Sequence, residues 1–298
     1  MIRRVTLVVV LALAAEPVLA LRTHVVAEFE PSAFLESGTA APDGSLLVTS
    51  YLDGRVLRVD ADGTSEAFAV LDVHPVGLLA TSGGYAVSFH ATAFTDPGFG
   101  AGQGVMVLSP KGVERGRIEI ENAGFLNGLA SGPDGSVLVA DSILGAIWRV
   151  DLAAGTARIA FADPRLAPDE SDRRPGANGL KWDGASLLVS NSSRETLVRI
   201  ETSGRGLSDA AIGTVVSTGS IDDFWVDDDG VVFATHGATL ERLERDGRRA
   251  TLLDAGCDGC TAVLPAPDPF GPGWIVLTTG NLLEGRTDPA RILRVTPP

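Results

Sequence analysis

The stretch PDGSLLVTSYLDGRVLRVDADG, Pro42 to Gly63, decides the fold. It reads as a turn, a short β-rich run, a second turn and an alternating run that ends in a third turn. The same grammar returns in PDGSVLVADSILGAIWRVDLAAG (Pro133 to Gly155), DGASLLVSNSSRETLVRIETSG (Asp183 to Gly204) and DDGVVFATHGATLERLERDG (Asp228 to Gly247). An arginine recurs in the second run of these copies, at Arg58, Arg149, Arg199 and Arg242, and again at Arg294. Weaker copies at Ser82 to Gly112 and Gly271 to Pro298 bring the number of units to six. Their turn glycines (Gly44, Gly84, Gly135, Gly184, Gly230, Gly273) stand about forty to fifty residues apart. That is the length of a four-stranded propeller blade and too long for a leucine-rich or hexapeptide repeat.

Further β-rich runs supply outer strands at Ser65 to Leu71, Gly116 to Glu121, Thr156 to Ala162 and Arg249 to Ala255. The last copy ends without one. Thr23 to Glu30 can supply it, joining the two ends of the chain in one blade and closing the ring. The expected fold is therefore all-β, a six-bladed β-propeller whose N-terminal strand completes the last blade, with a β-sandwich as the fallback.

With 298 residues, 45% apolar content and 35 glycines spread along the chain, a single all-β domain over residues 21–298 is expected. Residues 1–20 read as a signal peptide: a basic start at Arg3 and Arg4, an apolar run from Leu7 to Ala15, and Val18-Leu19-Ala20 as a cleavage site. This predicts a secreted or periplasmic protein with no membrane span after the leader, and a monomer. A formal net charge of -14 disfavours nucleic acid and acidic membrane surfaces and makes a cation the natural ligand. Cys257 and Cys260 are the two cysteines. Export permits a loop disulfide between them, whereas a zinc site would need two further ligands that are not clustered nearby.

One position repeats with the blades. Glu36, Asn127 and Asp222 each stand eight residues before a turn glycine, and Asn178 holds the matching place before a shortened turn. At the start of an innermost strand, these side chains would converge on one mouth of the channel. Four oxygen-bearing groups, two of them carboxylates, suit a hard divalent cation such as calcium. The alternative is that such residues simply start turns and cap backbone groups. VDADG and VDDDG spell part of a calcium loop but lack its later ligands and read as hairpin turns. No nucleophile elbow, phosphate-binding loop or dinucleotide fingerprint is present.

The order Glu, Asn, Asn, Asp over blades one, three, four and five, with NGL after both asparagines, resembles the SMP-30/gluconolactonase (regucalcin-like) family of six-bladed propellers. The resemblance spans about Leu21 to Pro298. It implies that Glu36, Asn178 and Asp222 hold a divalent metal, calcium or zinc, that Asp222 acts as base, and that Asn127 contacts substrate or a metal-bound water. The implied activity is hydrolysis of a small-molecule lactone or ester. The sugar lactonases of the family often carry Glu-Gly-Pro and Asn-Asp-Gly where this chain has Glu36-Ser37-Gly38 and Asn127-Gly128-Leu129.

His90, His236 and Asp141, at the ends of the following strands, are further candidates for contact with substrate. Asp223, one residue along the strand from Asp222, should face the other way. Two long connections, Ala91 to Gly104 and Ala162 to Ala177, could cover the channel, and the second carries the paired cations Arg173 and Arg174. Rival readings are a non-catalytic NHL-like binding propeller and a strictosidine synthase-like condensing enzyme.

Overall fold

The structure is a computed structural model. It describes residues 21–296 apart from residues 204, 205, 208, 236, 237, 258, 281, 283, 284 and 287, so the leader lies outside the described residues. Six four-stranded antiparallel sheets form the blades. Their inner strands are Leu35–Ala40, His74–Thr81, Leu126–Ser131, Ala177–Asp183, Ile221–Asp227 and Cys260–Pro265. In the sixth blade the outer strand is the N-terminal Arg22–Phe29, paired antiparallel with Ala290–Thr296. The ring closes as the sequence predicts, with strands from both ends of the described chain paired in one blade.

The core is six separate seams, each between neighbouring blades. Leu46, Val48 and Val59 of blade one meet Leu264, Ile275 and Ile292 of blade six. The same arrangement holds at the other five junctions. Middle strands are therefore covered on both faces, which is why Leu46–Ser50, Gly84–His90 and Val137–Asp141 are buried throughout and read as nearly continuous apolar runs. Outer strands such as Glu114–Glu119 and Ala211–Ser217 are largely exposed.

Two strands are hidden in the sequence for local reasons. The outer strand of blade four, Ala211–Ser217, is interrupted by Gly213 and does not alternate, and the inner strand of blade two, His74–Thr81, carries a proline and a glycine. The second blade's outer strand spans Glu114–Glu119, two residues earlier than expected. The recurrent arginines lie on third strands, and all but Arg294 reach back to the acids of the turn before the second strand. Arg58 pairs with Asp43, Arg199 with Asp183 at 2.5 Å, and Arg242 with Asp227 at 2.7 Å. They brace these hairpins at modest individual value. The VDADG and VDDDG segments are turns, between Val59 and Ser65 and between Asp227 and Gly230. Cys257 and Cys260 are disulfide-bonded and buried at the entry to the last inner strand.

Candidate functional site

Every inner strand carries a bulge near its start. Pairing slips between Leu35 and Gly38, Leu126 and Leu129, Ala177 and Leu180, and Ile221 and Phe224. The residue just after the first pair in each case is Glu36, Asn127, Asn178 or Asp222. The bulge takes these residues out of the ladder and aims their side chains into the channel. In the same register, blade two presents Val76 and blade six presents Thr261.

A bulge leaves backbone groups unpaired, and a hydroxyl on the neighbouring strand takes them up. Thr49 accepts from the Ser37 N–H at 2.9 Å and donates to the Val76 carbonyl of the next blade at 2.8 Å. Ser88 accepts from the Gly77 N–H and donates to the Asn127 carbonyl, at 2.8 and 2.6 Å. Ser190 accepts from the Gly179 N–H and donates to the Asp222 carbonyl, at 2.8 and 2.5 Å. Each hydroxyl thus ties its own bulge to the ring residue of the next blade. The sequence analysis missed them, although a hydroxyl breaking the apolar run at one place in LLVTS, YAVSF and LLVSN is a visible signal.

The glycines of the two NGL motifs follow from the same convergence. A Cβ on Gly128 would lie 2.6 Å from the Asn178 carbonyl oxygen, and one on Gly179 would strike Asp223. Only glycine lets the inner strands come this close.

Replacing Ser190 by alanine orphans a buried N–H and a buried carbonyl beside Asp222. We expect a stability loss of about 2 kcal/mol in urea unfolding. Ser190→Thr, which restores the hydroxyl in the form Thr49 uses, should recover most of it.

Glu36, Asn127, Asn178 and Asp222 all line one cavity of about 430 Å3. A small hollow of about 10 Å3, room for one water-sized particle, continues from the same four residues into the channel. Arg173, Arg174, Pro175, Ser192, Gly259, Thr261 and Thr279 contribute to the upper wall with Phe34, Phe94 and Phe125. Phe34 sits in the left-handed region at φ 47, immediately before the first ring strand. For a bulky residue this is a strained backbone of the kind held at functional sites.

Burial in the channel pushes the carboxyl of Asp222 up to about 8, with the neighbouring Asp223 charge adding to the rise, against lowering by the Asn178 side chain and Lys181. Burial and then the charge of Asp222 likewise hold Glu36 well above its ordinary value. Lys181, the nearest cation, is bound to Asp223 through both carboxylate oxygens at 2.6 and 2.7 Å. Asp223 and Lys181 also line a second cleft, of about 190 Å3, with Leu78, Leu129 and Trp225. Both adjacent acids border the small hollow, but the Asp223 carboxylate is taken up by Lys181.

The donor set fits a divalent cation. Two ring carboxylates share a hollow with two amide side chains, both asparagines are buried, and among the described residues no cationic side chain is paired with either acid. Hard oxygen ligands and net negative charge are what calcium requires.

Two expected contacts with substrate are otherwise engaged. His90 is fully buried. Its Nε2 donates to the Leu126 carbonyl at 2.8 Å, and its Nδ1 accepts from the Tyr51 hydroxyl at 3.0 Å. Burial lowers its pKa to about 4, so the ring stays neutral and does not line the cavity. Asp141, also fully buried, accepts from the backbone N–H groups of Gly124, Phe125 and Leu144 and from the Trp148 indole at 3.0 Å. It fixes the loop that presents Phe125 and is not free to bind substrate. His236 lies outside the described residues.

The sequence matches no protein-family model and no curated protein. Solved structures do match. A luciferin-regenerating enzyme superposes with a TM-score of 0.66 over 93% of this chain and 95% of its own, at 13% identity. A gluconolactonase from Xanthomonas campestris gives 0.65 over 93% and 90%, at 12% identity. The chain has the propeller fold of these enzymes. A virginiamycin B lyase from Staphylococcus aureus also superposes, with a TM-score of 0.57 over 92% of this chain and 99% of its own at 14% identity. At such identities the likeness establishes the six-bladed fold and leaves the reaction to the residues of the site.

Proposed function

We propose that the protein is an exported, metal-dependent hydrolase of lactones or esters, with calcium as the preferred metal and zinc as the alternative. The observation that carries the reading is the placement of Glu36, Asn127, Asn178 and Asp222 at the floor of an open cavity large enough for a small molecule. A purely structural ion would be enclosed on all sides, whereas a catalytic one keeps positions facing a pocket. The basic and apolar pattern of residues 1–20 and the Cys257–Cys260 disulfide support export.

In this reading Glu36, Asn178 and Asp222 hold the metal. Bound there, a divalent cation would supply Lewis-acid polarisation of the substrate carbonyl and charge neutralisation for the two acids. The chain's own groups do the rest. Asp222 accepts the proton of the attacking water, a role that suits a carboxylate whose affinity for protons is raised toward neutrality. Asn127 orients the substrate through its amide, and Phe34, Phe94 and Phe125 exclude bulk water from the reacting ester.

The test is calorimetric titration of chelator-stripped protein with calcium, then zinc, followed by hydrolysis of a lactone and ester panel with and without the bound metal. Saturable binding that Glu36→Gln weakens at least about a hundredfold, with hydrolysis restored by the metal, is the expected result. Absence of binding by the unaltered protein would overturn the reading.

A further inference from the structure

The walls of the cavity differ in chemistry from its floor, and the difference bears on what the site accepts. Polar groups above the ring are committed within the protein apart from Arg173, an exposed side chain at the rim that makes no ion pair among the described residues. Ser192 donates to the Ile221 carbonyl at 2.6 Å and accepts from the Asn178 amide at 3.1 Å. Thr261 donates to the Leu35 carbonyl at 2.7 Å, and Thr279 reaches the Gly259 carbonyl at 3.3 Å. Arg174 is held by Asp172 and Glu195. A polyhydroxylated ring placed here would bury several hydroxyls with few partners, at a cost for each one left unpaired.

The opposite wall is aromatic and preformed. Phe34 and Phe94 meet edge to face at 5.5 Å between ring centres, and Phe94 stands 6.1 Å from Phe125. Phe99 and His90 back Phe125 at 5.3 and 4.6 Å. Phe94 and Phe99 belong to the connection after Gly84–His90, a segment particular to blade two. A relay of hydrogen bonds fixes that segment: the Phe94 N–H donates to the Tyr51 hydroxyl at 2.8 Å, Tyr51 donates to His90, and His90 donates to the Leu126 carbonyl. The aromatic wall is thus tied to the strand that carries Asn127.

Building on the hydrolase reading, we propose that the site selects an apolar substrate. The ligand class is a lactone or ester bearing an aryl or alkyl substituent that packs on Phe34, Phe94 and Phe125, in preference to a sugar lactone. The ester group then faces the polar floor while the substituent takes the apolar wall.

Binding can be separated from turnover with non-hydrolysable lactams. Calcium-loaded protein is titrated with 5-phenyl-2-pyrrolidinone and with D-glucono-δ-lactam, and hydrolysis of the two corresponding lactones is measured in parallel. The phenyl lactam should bind at least about tenfold more tightly. Phe94→Ser should weaken it about tenfold, Phe94→Leu should largely restore it, and neither should alter calcium affinity. Equal or tighter binding of the gluconolactam, or indifference to Phe94→Ser, would overturn the proposal. If the phenyl lactam is preferred but neither lactone is hydrolysed, the apolar ligand class stands and the hydrolase reading falls.

Discussion

Replacing Asp222 by asparagine is expected to abolish measurable calcium binding and to lower lactone or ester turnover by at least about a thousandfold. The size follows from the two tasks assigned to one side chain. Asparagine keeps the shape and one oxygen but removes the charge, leaving Glu36 and the Lys181-bound Asp223 as the carboxylates lining the hollow. It also removes the proton acceptor, and general-base catalysis alone contributes about a hundredfold to ten-thousandfold. Asp223→Asn is the matched control. That side chain is bound to Lys181 and should change turnover by less than about tenfold. Parallel calorimetry and steady-state kinetics on both variants check the expectation. Equal losses in the two would mean that net charge in the channel, rather than a defined ligand, is what matters.

Blades and ring residues were legible in the sequence because both are written locally and repeated. A turn glycine and an apolar run recur with each blade, an arginine recurs with every blade but the second, and Glu36, Asn127, Asn178 and Asp222 occupy one register within that repeat. Glycine at 128 and 179 was legible too, as part of NGL, though its reason is a contact between blades. What the sequence hid is whatever occurs once. The aromatic wall combines Phe34, Phe94 and Phe125 from three different blades, and no spacing along the chain relates them. His90 and Asp141 end their strands much as a site residue would. Only burial and partners distinguish a histidine that holds Tyr51, or a carboxylate that gathers four N–H groups and more, from one that meets substrate.

The metal-free protein should lose stability as pH rises from 6.5 to 8. Asp222 has a folded-state pKa of about 8, far above its ordinary 3.8. The native state therefore keeps a proton there that the unfolded chain has released, and its contribution, complete below about pH 4, fades as pH climbs through 8. Glu36 is displaced in the same direction. His90 runs the opposite way: its pKa falls from 6.5 to about 4 on folding, so its contribution is gained between those values and is constant above them. Asp163 and Asp172, lowered chiefly by their hydrogen bonds to Arg165 and Arg174, have completed their gain well before neutrality. Between pH 6.5 and 8 the buried acids of the ring thus set the slope. One retained proton gives a loss of about 2 kcal/mol over this interval, or a fall in Tm of about 4 to 8 °C for a chain of this size. Saturating calcium should remove the fall, because its ligands bind as carboxylates and the cation replaces the proton. Asp222→Asn should reduce it without calcium, leaving only the part that Glu36 contributes, and leave the metal-free variant more stable than the unaltered protein at pH 8. Thermal unfolding across this range, with chelator and with calcium, measures all three. An identical slope in the variant would place the titrating group elsewhere and take away the electrostatic argument for a cation at the ring.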